Sequence, residues 1–377
     1  MRRSDFIISS FLKRSNTRAI WQIVTTVLPI AGLWCLIARI DQVSLAFAPK
    51  IFVLLPILGL LALFSSRAFS LMHDCGHGSL FRWRWLNRSF GFLLGVLNAI
   101  PQHPWSLDHA FHHRHNGDWE IYRGPIDVLK LNSYQELSKR SKLFYAISRH
   151  WLMLFPGGFF YLVLKPRLAL IQSLIDFAWS VSVEFLDRLR NKKFSQVFAL
   201  STRFRLNNSG YGDSFWEVAD LIFNNLCVIT SWILMSKWLG AQLFLTCYVL
   251  IMTASAAIFI CIFFVQHNFQ GSYAKDTQNW SQFIGALEGS SNLDLPNWLN
   301  WFFADISFHS MHHLCDKIPN YNLRACHLRN QHLLKNVTFL RLEDIPKCFD
   351  YILWDDKLQE LSTIQEANKL TALTSQY

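Results

Sequence analysis

The run from Ile20 to Ile40 carries no charge before Arg39, and nothing else in the sequence restricts the fold so strongly. Its 21 residues, wound as a helix, reach about 31 Å, which matches the hydrocarbon core of a bilayer. After a polar break from Asp41 to Lys50, a second run extends from Ile51 to Ser66 and on towards His73. Arg67 interrupts that run and must snorkel to the interface or meet a partner. A third stretch, Phe90 to Ile100, is too short to cross and stops at Pro101, which suits a re-entrant or interfacial hairpin. Two closing spans, Ala219 to Trp238 and Ala241 to Val265, are joined by a turn at Leu239-Gly240. The expected fold is therefore all-α: an integral membrane protein with about four transmembrane helices, a hairpin and a helical cap.

Composition supports that reading over a large soluble core. The chain is 51% hydrophobic and 16% charged, where soluble domains average about 25% charged. Its 32 phenylalanines and 15 tryptophans suit lipid-facing surfaces and interfacial belts. Residues 105–215 mix polar segments, a turn at Pro156 to Gly158 and amphipathic patches such as Leu168 to Leu189. Three segments are expected: 1–19 as a basic cytoplasmic lead-in without a signal-peptide cleavage pattern, 20–330 as the membrane domain, and 331–377 as a cytoplasmic tail.

The formal charge of +10 follows topology, with no nucleic-acid motif to recruit it. Arg and Lys number five in residues 1–19, fifteen in 105–215 and nine from 267 onward. The two expected outer loops hold only Lys50 and, at the edge, Lys237. The positive-inside rule then puts both termini and the long middle segment in the cytoplasm. The eight cysteines are scattered without a C-x-x-C pair, and Cys227, Cys247 and Cys261 fall in expected spans. They read as reduced structural thiols.

Nine of the fourteen histidines cluster just beyond apolar stretches. They are His73 and His77 in HDCGH, His109, His112 and His113 in HAFHH, His309, His312 and His313 in HSMHH, and His267 in QHNF. Residues three and four apart share a helix face, so each triplet aims three imidazoles one way. Neutral imidazole binds iron, zinc, copper and nickel. Nine ligands exceed one ion, and the simplest count is two metals. All of the clusters fall on the side that charge placement assigns to the cytoplasm.

The order of these features resembles the membrane-bound fatty acid desaturase family with its three histidine boxes. HDCGHGSLF (His73 to Phe81) is similar to the first box, and PQHPWSLDHAFHHRHNG (Pro101 to Gly117) to the second. ADISFHSMHHLCDKIPNYNL (Ala304 to Leu323) is similar to the third, and FFVQHNF (Phe263 to Phe269) to the place of an additional histidine. The likeness covers roughly residues 60–330 and leans towards the omega-6 (Δ12) acyl-lipid branch. Ser307 departs from it, standing where glycine is common.

The resemblance implies a di-iron centre held by His73, His77, His109, His112, His113, His267, His309, His312 and His313. Dioxygen would be the co-substrate and a lipid-, CoA- or carrier-linked fatty acyl chain the substrate. Zinc, which has no redox chemistry, would not serve. Asp74, Asp108 and Asp305 are candidates to accept the second ring N–H of ligand histidines, or else solvated surface acids. His103, His115, His150, His327 and His332 lie outside the spacing. No HPGG haem motif is present, since the nearest string is Phe155-Pro156-Gly157-Gly158. An external electron donor is therefore expected, either ferredoxin or a small b-type cytochrome. Two alternatives stay open: a sibling hydroxylase, epoxygenase or acetylenase on the same scaffold, and a histidine-rich metal transporter.

Overall fold

The computed structural model describes residues 2–44, 46–191, 202–206 and 210–374. Helix α1 (Asn16–Gln42) starts where the Ser15 side chain accepts the Arg18 N–H, and it continues through Pro29. Helix α2 (Phe47–His77) runs through Pro56 and ends at Gly78, whose left-handed φ of 66° closes the last turn on the carbonyls of Asp74 and Cys75. A side chain would strain that φ, so glycine sets where the helix stops and leaves His77 in its final turn. Helix α3 (Arg84–Leu97) returns against α2, and α4 (Gln102–His115) follows directly behind Pro101.

Two short helices, α5 (Leu131–Gln135) and α6 (Lys139–Ser148), lead to α7 (Leu154–Phe159). A π-helical turn at Phe160–Leu164 then joins α7 to α8 (Lys165–Arg190). The turn expected at Pro156 to Gly158 is helical instead. Pro156 sits in the first turn of α7, where its missing N–H costs nothing. Gly158 lets α7 press on α10, because a Cβ there would meet the Ala256 Cβ at 2.8 Å. The closing pair is α9 (Phe215–Leu239), capped by Ser214, and α10 (Ala241–Val265).

Five helical stretches are long and apolar enough to cross a membrane. Four correspond to the expected spans. The fifth, Trp151–Arg190, covers a region where the sequence shows only amphipathic patches, because charged and polar residues dilute its apolar positions. Backbone polar groups in hydrocarbon must be satisfied within the segment, which is why each apolar run becomes a helix.

The core of the bundle lies between α2 and α10. Phe69 and Phe259 stack with centroids 3.8 Å apart, and the hydroxyls of Ser66 and Ser255 approach to 3.2 Å. Beyond the bundle, α11 (Gln282–Glu288), α12 (Asn297–Phe302), α13 (His309–Leu314) and α14 (Asn320–Asn330) form the cap. Strand β1 (Leu129–Lys130) pairs parallel with β4 (Tyr351–Asp355), which pairs antiparallel with β5 (Glu360–Thr363). Strands β2 (Asn292–Leu293) and β3 (Phe339–Leu340) form a second, parallel pair.

Both terminal segments are tied into this cap. Ile7 exchanges bonds with the Asn330 side chain at 2.7 and 3.0 Å, and Tyr321 accepts the Ser15 N–H at 2.7 Å. From the tail, Ile352 accepts the Tyr145 hydroxyl at 2.6 Å, and Tyr351 accepts the Asn268 amide at 3.0 Å. The last of these bonds lies one residue from His267, so the tail braces the site.

Candidate metal centre

Four separate elements deliver the nine clustered histidines to one place. His73 and His77 project from the last turns of α2, and His109, His112 and His113 from α4. His267 follows the end of α10, and His309, His312 and His313 occupy α13. Helices α2 and α4 meet closely because Gly76 has no side chain: a Cβ there would lie 3.0 Å from the Ser106 Cβ. The start of α13 is fixed by the Asn292 side chain, whose Oδ1 accepts both the N–H and the hydroxyl of Ser310.

The rings fall into two groups whose ligand atoms lie within 4.8 Å of one another: His73, His77, His109, His113 and His312, and then His112, His267, His309 and His313. Within the first group Nε2 of His113 lies 3.0 Å from that of His109 and 3.1 Å from that of His312. Within the second, Nε2 of His309 lies 2.9 Å from that of His267 and 3.1 Å from that of His313. Neighbouring donors on one ion with bonds of about 2.1 Å sit roughly 3.0–3.4 Å apart, so the spacing suits a shared cation in each group. The groups abut where the rings of His113 and His313 stack at 4.1 Å.

Hydrogen bonds set the tautomers of three rings. Nδ1–H of His73 donates to Asp74 Oδ1 (3.1 Å), that of His77 to Asp316 Oδ2 (3.2 Å), and that of His267 to the Gly289 carbonyl (3.0 Å). The proton on Nδ1 leaves a lone pair on Nε2, facing the centre. Nε2 of His77 is buried with no partner among the described residues. A buried nitrogen with an unshared lone pair, aimed at four other imidazoles, is what a cation site requires. Burial, and then mutual repulsion, push the imidazoles of His109, His112, His113, His309, His312 and His313 well below their ordinary range. Burial also takes His267 down to about 4, against the pull of the Gly289 carbonyl. These seven rings are therefore neutral at pH 7 and able to bind metal.

Of the three aspartates expected beside the rings, the structure brings only Asp74 to one. Its second oxygen accepts the Asn320 N–H at 3.0 Å, which joins α2 to α14. Asp108 makes no hydrogen bond to a ring; it lines a neighbouring cavity, and burial raises its pKa while Lys165 opposes the rise. Asp305 pairs with Arg324 at 3.5 Å, because the left-handed turn at Ala304 and Asp305 directs it away from the boxes. Asp316, outside the expected set, is the carboxylate that meets a second ring. It follows Cys315, the residue that ends α13, and Lys317 holds it from behind at 2.9 Å while donating to the His77 carbonyl at 3.0 Å. Ser307 donates to Asn300 Oδ1 at 2.7 Å, so the residue in place of glycine has a structural partner.

The remaining histidines stay outside both groups. The backbone N–H of His103 bonds Asp220, and His115 packs on Phe111 and Trp280. His150 caps a short turn, and His327 lies between Phe308 and Phe339. His332 belongs to a short 3-10 turn.

A cavity of about 240 Å³ opens beside the rings, with His73, His109, His112 and His309 on its wall. The rest of the wall is mainly apolar, including Phe69, Trp105, Phe259, Phe263 and Phe303, with Tyr122, Tyr161 and Gln266 as polar members. The Trp105 ring stacks on His109 at 4.8 Å and holds that imidazole against rotation.

Fold and site together define a class: a bundle of membrane-type helices carrying a buried histidine cage fit for two metal ions beside an apolar cavity. Comparison with known proteins narrows it. The family model for fatty acid desaturase matches residues 47–340, and the chain belongs to that family. It is 29% identical to a fatty acid desaturase of Bacillus subtilis over 93% of this chain and 86% of that protein. It is 27% identical to an sn-1 oleoyl-lipid 12-desaturase of Synechocystis over 69% of this chain and 63% of that protein. The likeness to the sn-1 oleoyl-lipid 12-desaturase of Anabaena variabilis is 24%, covering 83% and 77%.

Proposed function

We propose that the chain is an oxygen-dependent di-iron desaturase that introduces a double bond into the fatty acyl chain of a membrane lipid. The observation that carries the proposal is the convergence of nine imidazoles, in groups of five and four, with His73, His109, His112 and His309 on the wall of an apolar cavity. His73, His77, His109, His113 and His312 would hold one iron, and His112, His267, His309 and His313 the other. When bound, iron supplies the redox chemistry with dioxygen that removes hydrogen from an unactivated methylene. The balance is one –CH2–CH2– unit, one dioxygen, two electrons and two protons, giving –CH=CH– and two waters. An external ferredoxin or b-type cytochrome would supply the electrons.

The chain's own residues bind, orient and exclude water. The cavity's phenylalanines accept an alkyl chain through apolar burial, worth about 0.8 kcal/mol per methylene. Phe263 packs on both His109 and His112, with centroids at 5.7 and 5.0 Å, and Tyr122 covers His112 at 4.9 Å. These rings leave the imidazoles no room to swing and keep bulk water from the reacting carbons. Asp74, Asp316 and the Gly289 carbonyl hold protons on Nδ1, which keeps Nε2 as the donor atom.

The acyl-lipid assignment and a Δ12 position are supported by the names of the Synechocystis and Anabaena relatives. We further place the site and both termini on the cytoplasmic side, from charge placement. Helices α2 and α10 bring their C-terminal ends to one cluster, and α9 begins beside α4, where Asp220 takes the His103 N–H. The segment from α4 to α9 thus begins and ends on one side, so α8 is assigned to the membrane surface and four helices cross.

Expression in a host lacking polyunsaturated lipids, followed by mass spectrometry of the acyl chains, tests the reaction. A loss of two mass units at a defined position is the expected result. A gain of sixteen would transfer the chain to the hydroxylase or epoxygenase reading.

A further inference from the structure

Arg67 interrupts an apolar helix, is 1% exposed, and has no carboxylate within 4.0 Å among the described residues. Its Nε donates to Thr26 Oγ1 at 3.1 Å, one terminal nitrogen donates to the Trp301 carbonyl, and its Cζ lies 3.7 Å from the centroid of the Trp301 ring. Those contacts orient the guanidinium without neutralising it. The carboxylate whose field reaches it, Asp305, is already paired with Arg324. An unneutralised charge in a membrane helix is costly and calls for a partner.

A second cavity, of about 480 Å³, lies against Arg67 and is separate from the acyl cavity. Arg18 forms another part of its wall, together with Thr17, Thr25, Gln22 and Trp21. Arg18 is held by Asn322 Oδ1 at 3.3 Å and lies over the Tyr321 ring, again without a carboxylate partner among the described residues. Two uncompensated guanidiniums therefore face one space, and the chemistry that satisfies such a pair is a phosphate. Gln22 donates to Asn320 while its own Oε1 is buried and unpartnered, which suits a ligand that also offers a hydroxyl or ammonium donor.

The position selects the source of that phosphate. The polar wall belongs to the first turns of α1, and the same turns carry exposed Ile20, Trp21, Val24 and Leu28. A polar pocket continuous with an apolar rim fits an amphiphile better than a free ion. We propose that this cavity binds the phosphate headgroup of a membrane phospholipid, apart from the acyl substrate. The proposal rests on the membrane setting of α1 and α2 and is independent of the desaturation chemistry.

The test is native mass spectrometry of the full-length protein in non-ionic detergent, titrated with phosphatidylglycerol, with a galactolipid of the same acyl chains, and with inorganic phosphate. The expected result is one tightly held phosphatidylglycerol per chain, bound at least tenfold more tightly than the galactolipid and lost in Arg18→Glu. Arg67→Gln should give the same loss. Because that buried variant can fail to fold, the solvent-facing Arg18→Glu carries the test, with unchanged helix content by circular dichroism in detergent as its folding control. Equal binding of the two lipids, or full retention by Arg18→Glu, overturns the proposal. Binding of inorganic phosphate without phosphatidylglycerol overturns the lipid source.

Discussion

Replacing Asp316 with Ala separates this structure from any account based on box spacing alone. The carboxylate accepts the His77 Nδ1 proton at 3.2 Å and is braced by Lys317. Truncation leaves that N–H without its acceptor in a largely buried place, costing about 1–3 kcal/mol. It also frees the ring to take the other tautomer, which would point a proton at the metal. Loss of such an outer partner lowers metal affinity by about 10–100-fold, equivalent to roughly 1.4–2.7 kcal/mol. The assay is competition for iron against a calibrated chelator on the purified chain, with metal content read by elemental analysis. Asp108→Asn is the control, because Asp108 makes no hydrogen bond to a histidine ring although it adjoins the second box and lines the cavity. The reasoning is refuted if Asp316→Ala keeps full affinity, or if Asp108→Asn loses as much.

Further outcomes follow from the same geometry. Alanine at His109, His112, His309 or His312 should abolish double-bond formation while leaving membrane insertion intact; activity retained in two of these variants removes the ligand assignment. Metal-free protein should lose stability in acid. Unfolded imidazole titrates near 6.5 and folded His267 near 4, so stability is complete above 6.5 and falls as pH drops from 6.5 to 4. His267 alone contributes about 3 kcal/mol to that fall, with the other depressed rings adding in the same direction. Thermal midpoints measured between pH 7.5 and 4.5 check it, and a midpoint constant across that range speaks against neutral burial. Cysteines placed at exposed Ser141 and Lys357 should label from the cytoplasmic side, with one at Ser44 labelling from the other; labelling of the first two from opposite sides breaks the four-span topology. Gly76→Val should push α2 from α4 and lower bound metal, measured by elemental analysis on the purified variant.

Much of this was legible in the sequence, and the reasons are physical. Long uncharged runs admit only helices in a bilayer, so α1, α2, α9 and α10 follow from hydropathy alone. Histidines at i, i+3 and i+4 must share a face, so each box announces itself without knowledge of its partners. Convergence of His267 with His309 across 42 positions does not follow from spacing and came from resemblance. Asp316 was invisible for a related reason: it reaches His77 from 239 residues away, only because α13 ends at Cys315. Adjacency misled for Asp108 and Asp305, since helix phase and a left-handed turn carry neighbours of a ligand to other faces. The helix from Trp151 to Arg190 was obscured by Pro156 and Gly158, which usually break helices but here begin one and pack it on α10.

Metal content of the purified full-length chain, determined by elemental mass spectrometry alongside protein concentration, tests the central claim most directly. Two irons per chain, falling in both His309→Ala and His113→Ala, is the predicted result. A single zinc, or no stoichiometric metal in a preparation that still forms double bonds, would contradict it.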